Sequence, residues 1–472
     1  MSSDPRNTWP RNLVLLALIG AGLIVYNQRQ TPPDPPSEEP GQTVPQPEDE
    51  STPNNQPPNQ PDFPDWEEII DSIYPALNHE EASAKLKHEE QTRAYPRKGT
   101  FGPVSRVDSV RVGSNEPIED EFVHEIIDMG DPKDWHFWGV YDGHAGWATS
   151  VLLRRALIPG VVSKIKKTLS EGMTRGFSSL DEPIRGAFHQ MENMISNEAL
   201  EAMDVAEDLG ESTAHAFSRV APACSGSCAL LAIYDPNLCL LRIASVGDSR
   251  AVLGRYRENK DDWETLALSE DHNGFNEVEW DRIVGEHPDE TGIIDKNSGR
   301  ILGLAMTRSF GDNCLKWPMV QLERCYKQFL GKPLNQGSLT PPYLTVDPDI
   351  RTMPVRDGDF LILASDGLWD RISNYEAVQC VRHWILRHPM EALPTSNAGM
   401  EGGIERFCRF NALTFTLEDD NVATHLARNV LGGRSEVFET LMSLRAPEAR
   451  PHRDDITIQV IFFGLYPGEM RD

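Results

Sequence analysis

The sequence predicts an α+β domain, strands layered with helices, behind a long non-globular N-terminal segment. Three observations carry this. Apolar runs meet aspartates: Phe137-Trp138-Gly139-Val140-Tyr141 before Asp142, Ala244-Ser245-Val246-Gly247 before Asp248, Phe360-Leu361-Ile362-Leu363-Ala364-Ser365 before Asp366, and Ile456 to Phe463 after Asp454 and Asp455. Helical patterns come in two consecutive stretches between strands, which argues against a strictly alternating parallel sheet. Finally, 39% of the 472 residues are hydrophobic, enough for a sizeable core.

In chain order, the first element is Leu13 to Tyr26, 14 residues without a charge. As a helix it is about 21 Å long, and about 27 Å counted from Trp9, against a hydrocarbon core of roughly 30 Å. Trp9 and Tyr26 suit the two interfaces, and Arg6 and Arg11 flank one side. A signal peptide is the rival reading, but no clear Ala-x-Ala cleavage pattern follows. The expectation is a tail over 1–12 and a single membrane anchor over 13–29. The linker follows over 30–65. Its residues 31–65 hold twelve prolines, eight acidic residues and no Lys or Arg, a composition that stays extended and disordered. The globular domain is expected over 66–472. Within it, Ser150 to Leu169 reads as an amphipathic helix with a basic end at Lys164-Ile165-Lys166-Lys167. Asp181 to Met203 reads as another, with Asp181 as its cap and Pro183 in its first turn. Asn276 to Val284 and Tyr375 to His388 read likewise.

Composition excludes some functions. With 45 basic against 73 acidic residues the formal charge is −28, a poor basis for binding a phosphate backbone, so no nucleic-acid partner is expected. The seven cysteines, at 224, 228, 239, 314, 325, 380 and 408, are odd in number and show no framework spacing. They read as mostly reduced thiols. Cys224 and Cys228 have no second pair or histidine nearby to complete a zinc site.

The aspartate motifs point to chemistry. A strand delivers its terminal side chain to a rigid, defined point, and several carboxylates delivered this way can hold hard cations such as Mg²⁺ or Mn²⁺. One aspartate after a strand is more often a turn residue; the combination is what carries weight. It runs in order through Ile118-Glu119-Asp120, Asp142-Gly143-His144-Ala145-Gly146, Ser225-Gly226-Ser227-Cys228-Ala229, Val246-Gly247-Asp248-Ser249-Arg250-Ala251, Ser269-Glu270-Asp271-His272, Leu302 to Asp312, Ala364-Ser365-Asp366-Gly367-Leu368-Trp369-Asp370 and Arg453-Asp454-Asp455-Ile456-Thr457. Over roughly residues 100 to 465 the chain resembles the metal-dependent serine/threonine protein phosphatases of type 2C. Asn115-Glu116-Pro117-Ile118-Glu119-Asp120, Thr340-Pro341-Pro342-Tyr343-Leu344-Thr345 and Asn421-Val422-Ala423-Thr424-His425-Leu426 resemble one branch, the mitochondrial pyruvate dehydrogenase phosphatases and their fungal relatives.

The resemblance implies an α-β-β-α sandwich of two antiparallel sheets flanked by helices, with metals in a cleft at one end. It implies two Mg²⁺ or Mn²⁺ ions, with Asp142 bridging them, the Gly143 carbonyl on the first, and Glu119, Asp366 and Asp454 on the second. Two cations about 3.5–4 Å apart need a shared carboxylate, and they acidify water between them. Water then attacks directly, without a phosphoenzyme. Gly143 lets the backbone turn its carbonyl toward a metal. Asp120 is expected to orient bound water. Asp248 and Asp370 are candidates, with Asp366, for a third, loosely held metal; for Asp248 a plain turn competes. His144 is the candidate general acid, since an imidazolium donates a proton at neutral pH to a poor alkoxide leaving group. His272 and His425 read as structural or surface residues, and Ser249 and Arg250 as support for the turn at Asp248. Arg308 stays unassigned, between phosphopeptide contact and an acid partner.

Two departures stand out. Many relatives carry a phosphate-binding arginine four residues before the Glu-Asp pair; here that position is Asn115, which brings no charge. Arg106 and Arg111 are the alternatives considered, and the phosphate-binding residue stays unknown. Cys228 replaces the usual Thr. The branch implies the phosphorylated E1 alpha subunit of the pyruvate dehydrogenase complex as partner and a mitochondrial location, with inner membrane and intermembrane space both open beside another cellular membrane. A different membrane-associated substrate and a catalytically silent regulator remain alternatives, though a silent regulator should have lost metal carboxylates. An aspartyl-phosphate enzyme would need an Asp-x-Asp-x-Thr motif after its first strand, which is missing.

Overall fold

A computed structural model describes residues 75–95, 104–172, 176, 179–210, 212–257, 262–329, 338–387 and 415–464. Leu77–Asp472 form one compact unit. The expected anchor and linker lie outside the described residues. Among those described, no helix is long and apolar enough to cross a membrane.

Runs of valine, isoleucine, leucine and aromatic residues form two antiparallel sheets. The first contains β1 (Gln91–Ala94), β2 (Val104–Val112), β9 (Arg250–Arg257), β10 (Asp262–Ala267), β15 (Phe360–Ala364) and β16 (Ile456–Phe463), in the order β1-β2-β16-β15-β9-β10. The second contains β3 (Glu121–Ile127), β4 (Trp135–Tyr141), β7 (Ala229–Asp235), β8 (Leu240–Val246) and β14 (Asp349–Pro354), in the order β14-β8-β7-β4-β3. The central strands are buried on both faces, so they read as continuous apolar runs rather than alternating ones.

The alternation decides which core each side chain enters. On β4, Trp138 and Val140 face Leu361 and Leu363 of β15 and Ile461 and Phe463 of β16 in a core between the sheets. Trp135, Phe137 and Tyr141 point the other way, onto α2 (Ala148–Ser170), α3 (Asp181–Leu209) and α4 (Ala214–Cys224). Behind the first sheet, Phe360, Ile362, Ile458 and Val460 pack on α1 (His79–Leu86), α8 (Asn374–Arg387), α9 (Val422–Val430) and α10 (Glu436–Ser443). The layers are therefore α-β-β-α, as the resemblance implied. Gln459, fully buried in the middle layer, donates from Nε2 to the Gly139 carbonyl at 2.9 Å and so ties the sheets together.

The expected helices appear with shifted ends. α2 and α8 match closely, and α5 (Glu277–Glu286) starts at Asn276, whose side chain accepts from the Val278 N–H at 3.0 Å. α3 runs on to Leu209 and stops at Gly210 in the left-handed conformation. Asp181 is a correction: the cap position is Leu180, without a side-chain bond. Asp181 instead lies inside the first turn with Glu182, where negative charge opposes the helix dipole favourably. α6 (Met319–Phe329), α7 (Asp366–Trp369) and short strands β5 (Gly143–His144), β6 (Gly226–Ser227), β11 (Ile294–Asp295), β12 (Arg300–Ile301) and β13 (Phe310–Gly311) complete the described elements named here.

Candidate metal and phosphoryl-transfer centre

Antiparallel pairing brings the motifs to one end of the sandwich. Glu121 at the start of β3 pairs with Tyr141 at the end of β4. Ala229 at the start of β7 pairs with Val246 at the end of β8. Ala364 at the end of β15 pairs with Ile458 near the start of β16 and with Arg250 at the start of β9. Glu119, Asp120, Asp142, Asp248, Asp366 and Asp454 all lie on the chain immediately beyond these strand ends.

Asp142 is central. Its carbonyl accepts from the Cys228 N–H at 2.9 Å, and its Oδ2 faces the Asp366 N–H at 3.3 Å. Ligand atoms of Asp142, Cys228 and Asp248 lie within 4.8 Å of one another, all three buried. The Cys228 thiol donates to Asp248 Oδ1 at 3.1 Å, so the cysteine at this position touches the carboxylate cluster. Burial, reinforced by Asp366 and Asp120, pushes Asp142 well above the usual carboxylate range. Burial, with Asp248 and Asp454, does the same to Asp366. Asp248 and Asp370 are raised less strongly, burial leading in both.

The Glu119 loop is held by a residue the sequence reading left without a role. Asp455 Oδ1 accepts from the Ser114 N–H at 2.5 Å, the Ser114 hydroxyl at 3.0 Å and the Asn115 N–H at 3.0 Å. Its Oδ2 accepts from the Glu119 N–H at 2.8 Å. Glu119 in turn accepts from the Gly146 N–H at 2.6 Å and the Asn115 side-chain amide at 3.2 Å. Gly143 is needed for close approach: a Cβ there would sit 2.1 Å from the Glu119 carbonyl oxygen. Asp454 pairs with Arg450, which opposes the upward push of burial on its carboxyl.

His144 lies in β5, paired with β6. Its Nε2 bonds Asp312 Oδ2 at 2.5 Å. Asp312 is fully buried and also accepts from the Ser309 hydroxyl at 2.8 Å. Among the described residues, His144 Nδ1 has no hydrogen-bond partner. Sequence reading placed Asp312 only inside a motif; its separation of 168 residues from His144 hid the pairing.

Three arginines considered from the sequence prove to be committed elsewhere. Arg106 bonds Asp108 at 2.8 Å and lies over Trp384. Arg111 is held by Glu89 at 2.7 Å, Glu121 at 3.1 Å and the Asp120 carbonyl at 2.8 Å. Arg308 is buried between Glu279 at 2.6 Å and Asp349 at 2.9 Å, which assigns it an acid partner. Arg250 holds Asp271 at 2.5 Å and Asn374 at 2.7 Å. His272, fully buried, accepts from the Gly247 N–H at 3.1 Å and meets Asp349 at 3.0 Å, so it braces the turn before Asp248.

The donor set suits hard divalent cations. Carboxylates this crowded repel one another unless a cation sits among them, and Asp120 Oδ2 is buried without a hydrogen-bond partner among the described residues. Buried carboxylates at one mouth of an α-β-β-α sandwich, beside an imidazole, define a metal-dependent hydrolase. Residues 108–397 match the protein phosphatase 2C family, and the chain belongs to it, a family of metal-dependent serine/threonine protein phosphatases.

A protein phosphatase 2C homolog of Schizosaccharomyces pombe is 36% identical over 407 residues, spanning 84% of this chain and 88% of that protein. The mitochondrial [pyruvate dehydrogenase [acetyl-transferring]]-phosphatase 1 of Saccharomyces cerevisiae is 31% identical over 438 residues, spanning 82% of this chain and 73% of that protein. The human mitochondrial phosphatase 2 of the same name is 33% identical over 306 residues, 60% of this chain and 55% of that protein.

Proposed function

We propose that this phosphatase acts in the mitochondrion on the phosphorylated E1 alpha subunit of the pyruvate dehydrogenase complex. The supporting observation is the similarity to the yeast mitochondrial phosphatase across 73% of that protein's length. In this reading Asp142, the Gly143 carbonyl, Glu119, Asp366 and Asp454 would hold two Mg²⁺ or Mn²⁺ ions, with Asp142 shared between them, and Asp248 and Asp370 would attend a third. Such cations would supply Lewis-acid polarisation of phosphoryl oxygens and activation of water near neutrality. Asp120 would orient that water. His144 supplies the proton for the departing seryl or threonyl oxygen from Nδ1, while Asp312 on Nε2 fixes the ring.

The N-terminal segment over 13–29 is proposed as the anchor, the linker over 30–65 as its tether, and 66–472 as the catalytic domain. Carbonate extraction of mitochondria tests the first point: release of the full chain into the soluble fraction refutes an anchor.

The substrate reading is tested by phosphate release from a phosphorylated E1 alpha peptide and from unrelated phosphoserine and phosphothreonine peptides. Mg²⁺, Mn²⁺ and EDTA are compared, beside Asp142→Ala. Metal-dependent release with preference for the E1 peptide is expected. Equal turnover of all peptides favours a different substrate at a membrane.

A further inference from the structure

The carboxylate cluster repels the very group the enzyme must bind. A phosphoryl dianion entering beside Asp366, Asp454 and Glu119 is bound better where a cationic donor from the protein adds to any metal. Arg106, Arg111, Arg250 and Arg308 are each held by more than one carboxylate, carbonyl or amide oxygen. Asn115, on the loop beside Glu119, spends its amide on Glu119 and Asp455.

Arg450 differs from all of these. It sits four residues before Asp454 and pairs with that carboxylate, and its side chain is 44% exposed. Its charge acts on Asp454, Asp366 and Asp455, and on Glu119 as well. One guanidinium therefore contacts Asp454 and lies near enough to Asp366 and Glu119 for its charge to act on them. Among the described residues, Asp454 is its only side-chain partner through Nη1, which leaves the rest of a five-donor fork for another acceptor. The segment that carries it is anchored: Ala449 is fully buried, its N–H donates to the Arg445 carbonyl at 2.7 Å, and the following Arg453 bonds the Leu441 carbonyl at 3.1 Å.

We propose that Arg450 binds the phosphoryl group of the substrate, keeping one N–H on Asp454 and presenting the others to two phosphoryl oxygens. The planar fork matches phosphate bidentately, which a lysine ammonium cannot do. A merely structural Arg450 would instead hold Asp454 in place for the metal, and the two roles separate by measurement.

The test uses the full chain as wild type, Arg450→Ala and Arg450→Lys. Three quantities are read: KM and kcat on a phosphopeptide, inhibition by inorganic phosphate, and Mn²⁺ affinity by electron paramagnetic resonance without substrate. Expected for Arg450→Ala are a KM and a phosphate inhibition constant each raised about 10- to 100-fold, the loss of a charged hydrogen bond, with Mn²⁺ affinity changed less than about threefold, small beside the 10- to 100-fold cost of losing a group that orients a metal ligand. Arg450→Lys, which keeps charge but not the fork, should fall between. Unchanged phosphate inhibition overturns the proposal. So does a loss of Mn²⁺ affinity that matches the loss of phosphate binding, because the arginine would then act through Asp454. Should Arg450→Ala fail to fold, the lysine variant decides on the same three readouts.

Discussion

At the scale of single residues, His144 and Asp312 form a unit. An imidazole whose Nε2 is tied to a buried carboxylate at 2.5 Å has its tautomer and orientation set, leaving Nδ1 as the nitrogen that can give up a proton. Asp312→Asn preserves the shape but removes the carboxylate that holds Nε2 and orients the ring. Its kcat is expected to fall by about 10² to 10⁴, the usual worth of a positioned general acid, with KM on a phosphopeptide little changed. Wild-type kcat removes Asp312 from the mechanism. Asp142→Asn is expected to abolish activity on any phosphopeptide in Mg²⁺ or Mn²⁺, because it removes the charge at the centre of the proposed metal site; residual metal-dependent turnover above roughly a few per cent of wild type contradicts the proposed bridging role.

At the scale of elements, the small strands β5, β6 and β13 matter more than their length suggests. Gly226 packs so closely on the dyad that a Cβ would lie 2.1 Å from both His144 Nε2 and Asp312 Oδ2. Gly226→Ala must push the pair apart. It is expected to lose kcat to a degree approaching that of Asp312→Asn, while overpacking costs about 1–3 kcal/mol of stability. Urea unfolding measured beside kcat distinguishes the two effects, and full activity in the alanine variant shows that the dyad tolerates separation. The same logic applies to β16: Asp455, just before it, fixes the Glu119 loop through five hydrogen bonds, so one side chain at a strand end positions a candidate ligand more than 300 residues away in sequence.

At the scale of the whole molecule, the crowded carboxylates couple stability to pH and to metal. Burial and mutual repulsion raise Asp142, Asp248 and Asp366 above their unfolded values. Between the ordinary carboxylate value, about 3.9, and those raised values, the folded state binds more protons than the unfolded one. Metal-free stability therefore falls as pH rises through that window, and the full penalty applies above it. Mg²⁺ or Mn²⁺ relieves it by binding the folded state alone. The melting temperature is expected to rise more on adding Mn²⁺ above that window than within it, where protonation relieves the cluster. Asp142→Asn should raise the metal-free melting temperature while weakening the Mn²⁺ response. A Mn²⁺ shift independent of pH, in wild type and variant alike, contradicts this account.

How much of this was legible beforehand follows from the range of each interaction. Local signals are written in neighbouring residues: the apolar runs of β4, β15 and β16, the helices over most of α2, α3, α5 and α8, and the motifs around Asp142, Asp366 and Asp454. The charge balance and the proline-rich acidic stretch are likewise properties of composition. The sequence by itself thus determined the elements, the ligand candidates and the family. Tertiary structure alone decided which groups meet. It joined His144 to Asp312, gave Asp455 to the Glu119 loop, set Cys228 against Asp248, consumed Arg106, Arg111 and Arg308 in ion pairs, and left Arg450 beside the cluster. The reason is physical. Antiparallel pairing converges strand ends from distant parts of the chain on one mouth, and burial there then fixes each charge by whatever partner lies within about 3 Å, a distance that spacing along the sequence does not encode.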